Sequence, residues 1–324
     1  MPYSIFDQAG TIFEQAVIMF LIILVGVLCY KTKLVTEKGS KELSGIILKV
    51  VNPAVIFMAY QRDFEPDLLK GLGISFLISA LAFIVNILIS YLLIRKKNNE
   101  NCDIERFSSI YSNCGFMGIP LVNALLGLEG VFYLTAYITT FNLLVWTHGV
   151  IQISGKKDRK SVLSAFRSPS VIAIFVGLLS FILRAFIPKE ISDAFTVSLP
   201  VQAIGYIKEM NTPLAMIVAG VTIAQTNLLK AVKKPSVYFV SFIKLLLVPA
   251  VVTALFCVFK IPQSPMLAVT IAVAAPTATM ATLFALRYDK NYLYCSEIFA
   301  VTTLLSIITM PLIILFNSFM TGIL

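Results

Sequence analysis

Long apolar stretches follow one another along almost the whole chain, and short polar connections separate each stretch from the next. A run of about 17 to 25 apolar residues is long enough to cross the hydrocarbon core of a bilayer as a helix. The pattern therefore predicts an all-α membrane protein with ten transmembrane helices, of which the second is short and interrupted. The ten segments are residues 12–30, 45–60, 69–94, 107–126, 130–153, 169–187, 205–227, 236–259, 264–286 and 292–318.

Two of these segments contain residues that interrupt helices. The stretch 111–120 in segment four holds polar residues, two glycines and a proline, and the stretch 274–280 in segment nine holds a proline between small and hydroxyl residues. Backbone groups freed by such a break at membrane depth need a partner in protein or in water. We therefore expect Gly118, Pro120 and Pro276 to break their helices beside a cavity, with a plain proline kink as the alternative.

The helix-breaking residues recur at an offset of five segments. Segments four and nine carry the two breaks, while Asn52 lies just before a proline in segment two and Asn211 lies shortly before one in segment seven. Because five is an odd number, the second half of the chain enters the membrane from the side opposite to the first. This parity predicts two inverted five-helix repeats, 1–154 and 169–324, joined by a short linker, 155–168, and interlocked into one membrane unit.

Charge changes the picture by setting the orientation. Only 13% of the residues are charged, about half the proportion in soluble proteins. Connections after odd-numbered segments carry 18 lysines and arginines, whereas those after even-numbered segments carry six. Basic loops stay in the cytoplasm, so we expect the odd connections and the linker inside and both termini outside. The net charge of +9 then reflects topology, and it requires no nucleic-acid partner.

The stretch 113–121, in which an asparagine is followed by Met-Gly-Ile-Pro-Leu, resembles the fourth-helix crossover of the auxin efflux carrier family. Residues 275–288 resemble the ninth-helix crossover and its exit. Plant members of that family have a long cytoplasmic loop between the halves, whereas this chain has only a short linker. The chain is thus similar to the bacterial permease branch, whose members are associated with malate, malonate and other organic anions.

This resemblance implies an architecture and a location. Helices one, two, six and seven would form a scaffold, and helices three to five and eight to ten would form a mobile transport domain. Helices four and nine would be broken and would cross each other. The membrane would be the inner membrane of a bacterium.

A broken helix presents unpaired N–H groups and a partial positive charge at the start of its second half. Two such ends near the midplane favour an anion. Side-chain amides and hydroxyls beside the breaks add donors for a carboxylate, although helix-to-helix hydrogen bonding is the alternative for the two threonines. The candidate substrate-binding residues are Asn113, Ser112, Cys114, Gly115, Thr277, Thr279 and Asn52.

Ionisable residues at membrane depth are costly and commonly functional. Lys244 in segment eight and Glu297 in segment ten are candidates for coupling or charge balance, since they can offset an anion, exchange a proton or pair with each other. Lys49 lies nearer the inner surface, where a lysine extends its ammonium to water. His148 is the only histidine, and a lone histidine in an apolar segment is more typical of a structural role.

These features together predict a secondary transporter of a small organic anion, working by alternating access and driven by protons or by the membrane potential. The alternatives are a sodium-coupled carrier of the bile-acid type and an anion sensor that does not transport. The five cysteines are scattered, and catalytic motifs are absent from the sequence, so we expect no metal, no cofactor and no enzyme activity. The partners are the anion and the bilayer, and the sequence leaves a homodimer open.

Overall fold

The computed structural model describes residues 5–97, 99–155, 167–188, 190–191, 194 and 198–323. Within these residues the regular structure is helical, apart from a single pair of residues bridged in extended conformation. We number the helices α1 to α16 in chain order. They are Ile5–Lys31, Glu37–Ile46, Asn52–Ala59, Pro66–Leu93, Cys102–Ile110, Ile119–Leu144, Val150–Ser154, Pro169–Leu183, Leu199–Glu209, Asn211–Ala224, Leu228–Ala231, Pro235–Phe242, Val248–Val258, Gln263–Ala274, Met280–Arg287 and Tyr292–Ile323.

Several of these helices join into longer stretches through wide π turns, in which each hydrogen bond spans one residue more than in an α-helix. The four π turns are Ile47–Val51, Cys114–Gly118, Val145–Gly149 and Ile243–Leu247. Six helical stretches in the described part of the chain are long and apolar enough to cross a membrane, which makes this an all-helical integral membrane protein. They are Gly10–Lys31, Glu37–Ala59, Pro66–Leu93, Cys114–Ser154, Pro235–Val258 and Tyr292–Gly322.

The stretch Cys114–Ser154 is 41 residues long, about twice what one crossing needs. Gly127 interrupts it, with φ of 63° and ψ of −159°, a conformation that is open to glycine and essentially closed to other residues. Beyond this point the chain folds back on itself. The evidence is that a Cβ added to Gly130 would lie only 2.8 Å from the side chain of Val122. The break falls where the sequence predicts the boundary between segments four and five.

Helix α1 packs against α10 and α16, and its contact with α10 depends on two glycines. A Cβ on Gly26 would lie 2.3 Å from the carbonyl oxygen of Ile217, and a Cβ on Gly220 would lie 2.1 Å from that of Ile23. Small residues let helix backbones approach closely inside a membrane, where packing drives helix association. This close contact holds the first helix against the second half of the chain.

Substituting Gly220 by alanine should therefore destabilise the fold. Gly205 on the neighbouring helix α9 is the matched control, because a Cβ there meets nothing within 4 Å. Alanine gains about 1 kcal/mol in helix propensity over glycine at either position, but only at Gly220 does it force two backbones apart. We expect thermal unfolding in detergent to occur at a lower temperature for Gly220→Ala and at an unchanged or higher temperature for Gly205→Ala. Equal melting temperatures would contradict this packing.

Candidate functional site

Two interrupted helices meet inside the protein and satisfy each other's backbone. Helix α5 ends before Tyr111 and helix α14 ends before Ala275, and both chains then run extended. The N–H of Asn113 donates to the carbonyl of Pro276 at 2.7 Å, and the N–H of Ala278 donates to the carbonyl of Tyr111 at 2.9 Å. These two hydrogen bonds make an antiparallel bridge. The breaks in segments four and nine thus cross, and each supplies the partners that the other lacks.

Helical structure resumes directly after the first crossing. The N–H groups of Met117 and Gly118 both donate to the carbonyl of Asn113, at 3.0 and 3.3 Å. The amides of residues 114–116 precede the first intrahelical bond, as at the start of any helix, so their N–H groups point away from the helix. The start of this half-helix therefore offers donors and a partial positive charge.

The first break lies earlier than the sequence indicates. Gly118 and Pro120 were expected to interrupt the helix, but Gly118 has helical torsion angles and Pro120 lies inside the helical stretch. The π turn explains this, because the N–H of Ile119 bonds to the carbonyl of Cys114 and the wider turn leaves room for the proline ring. Pro276 does lie in its break, since the residue before it is extended, with ψ of 147°, as a proline demands.

A cavity of about 650 Å³ lies beside the crossing. Both breaks contribute to its wall. The π turn around Lys49 contributes as well, and so do the end of the linker and the start of α8. Most of the wall is apolar, and the two basic residues in it are exposed. The lining residues are Leu48, Lys49, Asn52, Ser112, Asn113, Cys114, Gly115, Phe116, Ile138, Phe141, Asn142, Trp146, Arg167, Ser168, Pro169, Ser170, Ala278, Thr279 and Met280.

Asn113 is the residue of the site with an unused polar group. Its side chain lines the cavity and is only 4% exposed, yet its amide nitrogen has no hydrogen-bond partner in the described structure. A buried donor left without a partner costs roughly 1–3 kcal/mol. An acceptor that came within hydrogen-bond distance of this nitrogen would recover this energy.

Asn52 also lines the cavity. Its side-chain oxygen accepts a hydrogen bond of 2.7 Å from the amide of Asn211. The two asparagines that the sequence pattern pairs across the expected halves therefore contact each other. The amide nitrogen of Asn52 lies 3.0 Å from where a Cβ on Gly115 would be. Gly115 therefore serves the site by its lack of a side chain, which lets Asn52 approach the start of the half-helix.

The hydroxyl residues divide between the cavity and the interior. Ser112 lines the cavity, but its hydroxyl bonds to that of Tyr137 at 2.8 Å. Thr279 also lines the cavity, whereas Thr277 does not. The Thr277 hydroxyl donates to the carbonyl of Ser108 at 2.9 Å, one of the last carbonyls of α5. This placement differs from the expected contact between Thr277 and a substrate.

The two ionisable candidates at depth do not pair with each other. Lys244 is fully buried, and its ammonium donates to the carbonyl of Val273 at 3.1 Å, near the end of α14, where a helix favours positive charge. Glu297 forms an ion pair of 2.5 Å with Lys234. Pairing of Lys244 with Glu297, one of the alternatives that the sequence left open, is therefore wrong. A role of either residue in coupling or charge balance stays a prediction.

Sequence reasoning missed several cavity residues. Lys49 and Arg167 are exposed residues of the wall and mark the mouth of the cavity. The expectation that Lys49 reaches toward water stays a prediction. Trp146 and Asn142 were not singled out, although they line the wall. The depth of Lys49 in an apolar segment was an available signal, but the positions of the other three depend on long-range packing.

Two broken helices that cross beside a cavity are the arrangement by which many membrane transporters bind solutes. The chain belongs to the membrane transport protein family. The sequence model of this family matches residues 11–163 and again residues 156–314. This is the family of the auxin efflux carriers, so the resemblance is confirmed. The chain is 23% identical to an uncharacterized transporter of Methanothermobacter thermautotrophicus over 92% of its own length and 96% of the relative's. It is 23% identical to one of Methanocaldococcus jannaschii over 90% and 94%.

Thr277 and Thr279 offer a matched test of the two kinds of hydroxyl. Thr277→Val leaves the carbonyl of Ser108 without its donor, so we expect a loss of stability of about 1 kcal/mol with ligand affinity unchanged. Thr279→Val alters only the cavity wall, so it should leave the melting temperature unchanged. Differential scanning fluorimetry and carboxylate binding on both variants decide this. A loss of affinity in Thr277→Val at an unchanged melting temperature would contradict the assignment.

Proposed function

We propose that this protein is a secondary transporter of a small organic anion, such as malate, malonate or an auxin-like acid. It works by alternating access, and protons or the membrane potential drive it. The observation that carries the proposal is the buried, unpartnered amide of Asn113, a residue that lines the cavity at the crossing of two broken helices. Membership of a transporter family supports the general activity.

The chemistry of the cavity supports an anion. Donors converge from the amide of Asn113 and from the start of the half-helix at residues 114–116, and Lys49 and Arg167 add positive charge at the mouth. Among the residues that line this cavity there is no aspartate or glutamate. The rest of the wall is apolar, with rings from Phe116 and Trp146. The site suits a small organic molecule that carries a carboxylate group.

The architecture that fits this activity is ten transmembrane helices in two inverted repeats, 1–154 and 169–324, joined by the linker 155–168. The contact between Asn52 and Asn211 supports the repeat, and so do the mutual hydrogen bonds of the two breaks and the separate family match to each half. The scaffold and the transport domain then divide as the family resemblance implies.

In the proposed orientation the protein lies in the plasma membrane of a bacterium with both termini outside. The cavity then opens to the cytoplasm, because Arg167 at the end of the linker lies at its mouth. On the opposite side, Tyr60 bonds to the hydroxyl of Thr135 at 2.7 Å and stacks edge-on with Phe132, which contacts Phe181. This cluster closes the outer side, and its opening would expose the site to the exterior.

Replacing Asn113 by alanine should weaken substrate binding by roughly 1.5–3 kcal/mol, the usual range for a hydrogen bond to a charged group. That is about a tenfold to hundredfold rise in Kd. Asn317→Ala is the matched control, because Asn317 also has a buried amide without a partner but does not line the cavity. Purified protein in liposomes is first screened with mono- and dicarboxylates for counterflow, and affinity for the best ligand is measured by calorimetry.

Three results would contradict the proposal in different ways. Normal binding by Asn113→Ala with a lowered melting temperature would make Asn113 a structural residue. Binding without counterflow in the wild type would favour a sensor. An absolute requirement for sodium would favour the bile-acid type of carrier.

The orientation is tested by labelling single cysteines in a chain whose five native cysteines are replaced by serine. Lys38→Cys lies on an odd connection and Asp67→Cys lies at an even one. A membrane-impermeant maleimide added to intact cells should label only the second, and permeabilised cells should show labelling at both. Equal labelling at both positions in intact cells would overturn the ten-helix arrangement.

A further inference from the structure

His148, the only histidine of the chain, contacts the hydroxyl groups of two tyrosines. It lies in the π turn Val145–Gly149 and does not line the cavity. Its Nδ1 atom is 2.9 Å from the hydroxyl oxygen of Tyr111, and its Nε2 atom is 3.3 Å from that of Tyr91. Both ring nitrogens therefore face a hydroxyl group.

Each tyrosine hydroxyl also contacts an oxygen that only accepts. The Tyr111 hydroxyl lies 3.0 Å from the carbonyl of Leu144, and the Tyr91 hydroxyl bonds to the side-chain oxygen of Gln152. The orientation of the Gln152 amide follows from its other end, where the nitrogen donates to Asp103 Oδ1 at 3.3 Å. A carboxylate accepts hydrogen bonds, so the oxygen of Gln152 must face Tyr91.

The hydrogens in this chain of contacts can be counted. The four contacts run from Leu144 to Tyr111, from Tyr111 to His148, from His148 to Tyr91 and from Tyr91 to Gln152. Four hydrogen bonds need four hydrogens, and the two hydroxyl groups supply two of them. The imidazole must supply the others, one from each nitrogen. A neutral imidazole has a single N–H, so it leaves one contact without a hydrogen.

The charged and titratable groups around this chain come from each neighbouring element. Helix α4 contributes Tyr91. Helix α5 contributes Cys102, Asp103 and Arg106, and the guanidinium of Arg106 lies 4.1 Å above the ring of Tyr91. Lys290 pairs with Asp103 at 3.3 Å, and both side chains are partly exposed. Helix α15 presents the apolar ring of Phe284. The carboxylate of Asp103 puts a negative charge at the end of this series of hydrogen bonds. The guanidinium of Arg106 disfavours a second positive charge nearby, such as a protonated imidazole.

We propose that His148 binds the proton that is coupled to anion transport. The proton adds to the ring nitrogen that lacks one, so the imidazole becomes a cation and all four contacts become hydrogen bonds. Its release removes one of these bonds. Because the carbonyl of Tyr111 holds the N–H of Ala278 across the crossing, the protonation of His148 and the geometry beside Asn113 are linked. This inference rests on the proposed transport function and names its coupling ion.

The single histidine makes the protonation state directly measurable. Protein labelled with ¹⁵N in its imidazole and purified without a histidine tag gives the nitrogen signals of a single imidazole ring. We expect both nitrogens to carry hydrogen at the acidic end of a titration from about pH 5 to 8, the range in which histidines change charge, and one to lose it toward the alkaline end. Tyr111→Phe removes one acceptor, so it should shift the titration to lower pH. A ring that stays neutral throughout overturns the proposal.

Transport supplies the second readout. When one proton moves with one monocarboxylate the cycle is charge-neutral, and a gradient of one pH unit should then accumulate the monocarboxylate about tenfold in liposomes. His148→Gln keeps a donor and an acceptor but cannot titrate, so its carboxylate counterflow should persist while the accumulation is lost. Retained accumulation in this variant, or wild-type transport that ignores the gradient, overturns the coupling alone. A wild type that moves no carboxylate overturns the proposed function as well, and the ¹⁵N titration still reports on His148 without substrate.

Discussion

Backbone groups freed inside an apolar protein must find partners, and the crossing of the two broken helices is where this constraint is met. Neither break can satisfy itself, because Asn113 and Ala278 both begin beyond the last hydrogen bond of their preceding helices. Each instead donates to a carbonyl of the other break, at 2.7 and 2.9 Å. The two halves of the chain are therefore joined where each helix is interrupted, and each break depends on the other for its backbone hydrogen bonds.

Side chains complete this arrangement by satisfying the carbonyls at the ends of α5 and α14. Thr277 donates to Ser108 and Asn86 donates to Ile110, while the buried ammonium of Lys244 donates to Val273. Thr277 and Lys244 are also candidates from the sequence, for substrate binding and for coupling, and both have a backbone carbonyl as their partner here. Asn113 is the exception beside the cavity, because its amide remains unused. The unused amide of Asn113 and its place in the cavity wall together carry the proposed site.

Local sequence signals predicted the helical class and the two breaks, but they did not predict which residues become partners. Pro276 fixes its own break, because a proline acts on the residue before it, and Gly127 separates its two helices where the apolar pattern changes. Pro120 was expected to break its helix, but the π turn before it accommodates the proline and the helix continues. The pairing of Glu297 with Lys234 instead of Lys244 depends on how distant helices pack, and segment depth contains no information about that. The same is true of the contacts around His148, which a sequence shows only as a lone histidine.

The most direct test of the account is an electron cryomicroscopy reconstruction of the protein in lipid nanodiscs with a saturating concentration of the best-binding carboxylate. The account predicts density for the carboxylate within hydrogen-bond distance of the Asn113 amide, between the start of the half-helix at residues 114–116 and Thr279. It also predicts the Asn113 to Pro276 bond across the crossing. A ligand bound away from Asn113, or two breaks that do not contact each other, would contradict it.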